Sequence, residues 1–192
     1  MLRLAFYLIL LVSSTYACAL CGTNKASFIN VSTHTVFANN VIEKIEVVWK
    51  FDEFFSTQLV TLYDKNKDGL FDEQETQAMF QLLRDVEKPS FMSVIHINDA
   101  DIKTFKVSHF QANINDKIVS FSFDIELNYP IKDSAKLILY FFDSTQSLAF
   151  LHTAENITFE NTTHFNILKN FGFKVIPNTM SVVNTISYEV KE

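Results

Sequence analysis

The spacing of apolar residues changes twice along this chain, and that change most narrows what it can fold into. From Ser27 to Trp49 the residues Val31, Thr33, Thr35 and Phe37 alternate with polar ones. Asn39-Asn40 then offers a turn, and Ile45, Val47 and Trp49 resume the alternation, which is a hairpin pattern. At Asp52 the period lengthens from two towards 3.6. Phe51, Phe55, Leu59 and Leu62 mark one face of a helix, with Asp52 placed as its cap. A second helix is predicted over about Glu73 to Glu87, with Met79, Phe80, Leu83 and Val86 on one side and Pro89 as its stop. Period two then returns. Strands are predicted at Ser93 to Ile97, Thr104 to Ala112, Lys117 to Asn128, Lys136 to Phe142 and Ser147 to His152, with further ones after Asn156. Turns fall at Asn98-Asp99 and Asn115-Asp116, and Phe121, Phe123, Ile125 and Leu127 alternate with outward Ser122, Asp124 and Glu126. The expected class is α+β: one sandwich-like antiparallel β-sheet domain over 27–192, with a helical insert over 52–88.

Composition agrees with a packed core and excludes several functions. Of 192 residues, 48% are hydrophobic and 20 are Phe, so the chain can bury a sizeable interior. The three glycines, Gly22, Gly69 and Gly172, stand alone, so no Walker loop, dinucleotide fingerprint or G-x-S-x-G elbow can be written. A net charge of -6 without a basic run argues against nucleic acid as a partner.

Met1 to Ala17 reads as a secretory signal peptide: Arg3, the nine-residue apolar run Leu4 to Val12, then Ser13-Ser14-Thr15-Tyr16 and Ala17. That run is too short to span a bilayer, which takes about 20 residues, so the product after cleavage is not expected to span a membrane. Cleavage before Cys18 leaves a short segment, 18–26, with the pair Cys18-Ala19-Leu20-Cys21; cleavage before Leu20 removes one cysteine. Lipoprotein anchoring at Cys18 ranks second to simple secretion, because Thr15 stands where a Leu is usual. The cysteine pair is open to three readings: a terminal disulfide, a thiophilic metal site or a redox pair. The first is favoured, since no helix pattern follows at Gly22-Thr23-Asn24 and a structural zinc wants four ligands.

Between the two predicted helices, residues 64–75 fit a calcium-binding EF-hand loop. A hard cation needs six to eight oxygens, and the spacing offers Asp64, Asn66 and Asp68 at positions one, three and five. The Leu70 carbonyl follows at seven, Asp72 at nine through water, and a bidentate Glu75 at twelve. Gly69 occupies the sharp turn. The loop carries five acids and two lysines, so its carboxylates repel one another without a cation. Bidentate Glu75 disfavours magnesium, whose octahedron has little room for it. The competing reading is an acidic loop that matches by chance. One loop without a pair, set among strands, points to a structural calcium rather than a switch.

Elsewhere the chemistry is sparse. His34, His96, His109, His152 and His164 show no metal-ligand spacing, and Asp52-Glu53 are explained by the helix start, where the macrodipole favours acids. The sequons at Asn30, Asn156 and Asn161 matter only in a eukaryotic secretory route. No catalytic residue can be nominated, and an enzyme is not expected.

The run Val47-Val48-Trp49-Lys50-Phe51-Asp52-Glu53-Phe54-Phe55-Ser56, followed by the loop at 64–75, resembles a bacterial periplasmic family, domain-of-unknown-function family number one thousand and seven. The likeness continues through Leu139-Tyr140-Phe141-Phe142-Asp143-Ser144 and Leu148-Ala149-Phe150, covering about Ser27 to His152. Members are labelled periplasmic components of ABC-type transport systems and are often encoded near nickel, cobalt or zinc transporters. The resemblance implies a periplasmic, calcium-binding accessory protein with a membrane transporter as possible partner. An alternative is a nickel, cobalt, zinc or copper binder using Cys18 and Cys21. Family members commonly open with a His-Pro-His-Val-Phe type motif; here Lys25-Ala26-Ser27-Phe28 stands in its place, without histidine.

Overall fold

The structure is a computed structural model that describes residues 26–86, 91–177, 179 and 181–191. The expected signal peptide, both cysteines and the helix stop at Pro89 lie outside the described residues. The chain runs β1 (Ser27–Ala38), β2 (Val41–Phe51), α1 (Glu53–Tyr63), α2 (Glu73–Val86), β3 (Ser93–Ile97), β4 (Ala100–Asp101), β5 (Lys106–Asn115), β6 (Ile118–Pro130), β7 (Ser134–Phe141), β8 (Leu148–Glu160), β9 (Asn166–Val175) and β10 (Val182–Lys191). Two five-stranded sheets form, in the orders β5-β6-β2-β1-β8 and β4-β3-β7-β10-β9. The α+β, sandwich-like expectation therefore holds.

The hairpins follow from turn chemistry. Asn39 and Asn40 both have positive φ, 46° and 59°, as a two-residue turn between twisted strands requires, and Asn98 and Asp99 repeat this at 51° and 64°. Between β5 and β6 the turn is Asp116-Lys117, one residue later than expected, because Asn115 already pairs with Ile118. Against β1 the register slips between Val36 and Phe37, so that Glu43 is an extra residue in β2, and Ile42 and Ile45, three residues apart, both face inward.

Two expectations are corrected. The first sheet is mixed, not purely antiparallel: β1 pairs with β8 in parallel, from Ser27 opposite Leu148 to Val36 opposite Glu160. Strand β8 also extends eight residues past its predicted end at His152, since that pairing gives its backbone a partner. The second concerns α1. Leu62 is exposed at 51%, and the inward face is instead Phe55, Ser56, Leu59, Val60 and Tyr63. Phe51 belongs to the end of β2, so it does not set the phase of the helix.

Aromatic rings join the two sheets. Trp49 of β2, 1% exposed, touches Phe123 of β6, Phe141 of β7 and Phe150 of β8 at centroid distances of 5.0, 5.5 and 5.1 Å, and stacks on Phe91 at 5.9 Å. At the other end Tyr188 of β10 meets Phe159 at 5.1 Å, and its hydroxyl lies 3.0 Å from Thr35 Oγ1. Burial raises the Tyr188 hydroxyl pKa, so it stays neutral there.

Helix α1 is tied to the sandwich by two short polar side chains. Asp52 caps α1 as expected, accepting the Phe55 N–H at 2.7 Å, while its other oxygen accepts the Phe28 N–H at 2.7 Å at the start of β1. Ser56, fully buried, accepts the Val119 N–H at 2.9 Å. The β2–β6 ladder ends at Lys50 opposite Ser120, one residue short of Val119, and the serine hydroxyl supplies the missing acceptor. Ser56→Ala would strand that N–H and is expected to cost about 1–3 kcal/mol in urea denaturation. A loss within about 0.5 kcal/mol would mean the bond carries no net stability.

Candidate functional site

The segment from the end of α1 to the first turn of α2 carries the six predicted calcium positions. Asp64 closes α1, its N–H bonded to the Val60 carbonyl at 3.0 Å. Its carboxylate then organises the turn: Oδ1 accepts the Asp68 N–H at 3.2 Å and Oδ2 the Gly69 N–H at 3.1 Å. Gly69 sits at φ +81° with no atom within 4 Å of where a Cβ would stand, so the backbone conformation, not crowding, demands glycine. Asn66 Oδ1 accepts the Asp68 N–H at 2.9 Å, and Asp68 Oδ1 accepts the Leu70 N–H at 2.8 Å. The Leu70 side chain is exposed at 61%.

At the far end, Asp72 and Glu75 form a reciprocal cap on α2. The Glu75 N–H donates to Asp72 Oδ1 at 2.9 Å, and the Asp72 N–H donates to Glu75 Oε2 at 3.0 Å. Glu75 Oε1 also accepts the Lys65 N–H at 2.6 Å, drawing the two ends of the loop together. Sequence reasoning assigned these acids to a cation only; the D-x-x-E spacing before an apolar helix also signals this capping box. Asp64 and Glu75 are 8% and 6% exposed, the two buried acids of the loop.

This arrangement fits calcium in chemistry and falls short in convergence. All six donors are oxygens, the set a hard cation prefers. Each oxygen of Asp64 and Glu75 accepts one N–H, and a carboxylate oxygen carries two lone pairs, so each retains one for a cation. A dish of about 220 Å³ bordered by Lys65, Asn66, Asp72 and Glu75 opens beside the loop. Yet among the described residues no group of three or more His, Cys, Asp or Glu side chains gathers closely enough to hold a metal ion. The acids are turned onto the loop's own N–H groups instead.

The histidines stay apart. His34 lies beside Thr158 and Glu160, His96 beside Asp101 at 2.6 Å, and His109 beside Asp124 at 3.0 Å, each serving a local pair. Ser108 and Asp124 both approach His109 through the same nitrogen, Nδ1, at 3.3 and 3.0 Å, so they do not form a relay across the ring. Asp124 faces outward as expected but is 9% exposed, covered by His109 and Lys44. Hydrogen bonds to Glu46 and Asp124 raise the Lys44 pKa and hold it charged. His152 differs: it is buried, stacks on Phe141 at 5.6 Å, and neither ring nitrogen has a hydrogen-bond partner among the described residues. Burial lowers its pKa from 6.5 to about 4.

No helix among the described residues is long and apolar enough to cross a membrane. No curated protein matches the chain. Solved structures similar to it include the acetylcholine-binding protein type 1 of Biomphalaria glabrata, 13% identical, covering 88% of this chain and 87% of that one with a TM-score of 0.44. The acetylcholine-binding protein of Bulinus truncatus is 8% identical, with 97% of each chain covered and a TM-score of 0.44. A family described as "Protein of unknown function (DUF1007)" matches residues 17–174, which span both helices, the acidic loop and most of both sheets, and the chain belongs to that family.

Proposed function

We propose that this protein is a secreted, periplasmic, non-enzymatic accessory of a metal transport system, in which the loop 64–75 binds one structural calcium ion. The observation that carries the calcium reading is the burial of Asp64 and Glu75 at the two ends of a loop turned by Gly69, with lone pairs left on their oxygens. Asp64, Asn66, Asp68, the Leu70 carbonyl, Asp72 and Glu75 would hold the ion. A calcium ion there offsets most of the loop's negative charge and fixes the ends of α1 and α2 against the sandwich. The leader-like Met1 to Ala17 supports the compartment, and the family resemblance supports the transport association.

At the weak affinity of extracellular sites, about 10⁻⁴ M, calcium near 1 mM adds about 1.4 kcal/mol to stability. Glu75→Gln keeps an acceptor oxygen for the cap and removes the charge, so it separates the two roles of Glu75. Wild type is expected to melt higher in calcium than in chelator, whereas Glu75→Gln melts alike in both. The same calcium response in both proteins, or none in wild type, would remove the site. Magnesium at equal concentration is expected to give a smaller gain.

A further inference from the structure

We propose that β9 is the docking edge for a second copy of this chain, joined strand to strand across a two-fold axis. A sheet edge presents a row of unpaired N–H and C=O groups, which another extended chain satisfies in sequence. Soluble proteins shield such edges with short strands, bulges and charges. Three of the four sheet edges here are shielded in that way. Strand β4 has two residues and ends in the exposed Asp101. Strand β5 slips register between Ser108 and Gln111 and carries Lys106. Strand β8 slips where it passes Val31 to Thr33, exposes Glu155, and gives the carbonyls of Ala154 and Ile157 to Lys169.

Strand β9 has none of these devices. Its ten residues pair with β10 without a register shift and include no Pro, Asp or Glu. Among the described residues no strand pairs with its outer side. Its two lysines are drawn onto the chain's own surface. Lys169 reaches the β8 carbonyls at 3.1 and 3.5 Å, while Lys174 Nζ lies 5.0 Å from the centre of the Tyr140 ring and 3.4 Å from His96 Nε2. What stays exposed is apolar: Leu168, Phe171, Phe173 and Val175, with Phe173 at 79%. Because both lysines are engaged, the edge offers little charge to select an acidic foreign segment. Its own sequence fits it better. Two antiparallel copies about an axis through Phe171 keep the faces of the sheet continuous and set Phe171 against Phe171 of the second copy. Lys169 then lies opposite Phe173, Leu168 opposite Lys174, and Ile167 opposite Val175, so no lysine faces a lysine and apolar side chains meet across the seam. That is the self-complementarity a two-fold interface requires.

Sedimentation equilibrium of the purified protein is expected to show a mass that rises with concentration towards twice that of the chain. Phe173→Lys changes a side chain already exposed and sets like charges opposite Lys169 on both sides of the axis. It is expected to weaken dimerisation about tenfold. Phe54→Lys, at an exposed aromatic of α1, leaves the dimer intact. A cysteine pair reads the register independently should Phe173→Lys fail to fold. In a Cys18→Ser, Cys21→Ser background, Phe171→Cys is expected to cross-link on oxidation, because residues directly opposite in an antiparallel pair have Cα atoms about 4.5–5.5 Å apart. Leu168→Cys, which faces Lys174, is not. A monomer at every concentration, a dimer that a folded Phe173→Lys leaves unchanged, or equal cross-linking of the two cysteine variants would overturn the proposal. So would a monomer whose β9 amides resist hydrogen exchange, since another part of the chain would then cover the edge.

Discussion

Trp49→Ala is expected to lower stability by about 4 kcal/mol. The indole touches four rings from β6, β7, β8 and the residues before β3, so removing it opens a void shared by both sheets. No acceptor is stranded by the change, because the indole N–H has none among the described residues. The loss therefore reports packing alone. Urea denaturation followed by circular dichroism checks it: the midpoint falls while the slope stays near that of wild type. A loss under about 2 kcal/mol would show that the sheets close over the gap and that Trp49 is not the joint between them.

Acidification is expected to cost about 3 kcal/mol through His152. Burial lowers its folded pKa to about 4 against an ordinary 6.5. The unfolded chain therefore binds a proton between those values that the folded chain refuses. The contribution is fully present above pH 6.5 and is lost as the pH falls through the window towards 4. At about 1.36 kcal/mol per pKa unit, the gap of 2.5 gives the stated magnitude. Carboxylates titrate in the same range, so the comparison is with His152→Phe, which keeps a ring against Phe141 and cannot be protonated. The stability gap between variant and wild type is expected to widen by about 3 kcal/mol from pH 7 to pH 4. A constant gap would mean that the imidazole finds water or an acceptor when charged.

Both predictions rest on residues whose environment the sequence did not reveal. Trp49 was legible as an inward strand residue, but not as the meeting point of two sheets. His152 was legible only as one of five scattered histidines. Leu62 shows the same limit on a smaller scale. Its spacing from Leu59 suits an inward position, yet the helix turns it to solvent because Ser56 and Leu59, tied to β6 and the core, set the phase. At the acidic loop, two physical readings share one spacing. Position nine of a calcium loop is also a helix N-cap, and position twelve is also the third helical residue, so Asp72 and Glu75 satisfy both patterns.

The sequence by itself determined what depends on near neighbours. It placed the switch of period at Asp52, the Asn-Asn and Asn-Asp turns, the Asp52 cap, and the run of oxygen donors with glycine at its bend. These follow from the local backbone and from side chains a few residues apart. Only the tertiary structure decided which strands meet: β1 lies parallel to β8, with more than a hundred residues between them. It also decided which acids are buried, which phase α1 adopts, and that Trp49 and His152 bury nitrogens without partners among the described residues. Strand pairing and desolvation are set by what arrives from far along the chain, and an alternating pattern fixes the face a residue shows without naming what will cover it.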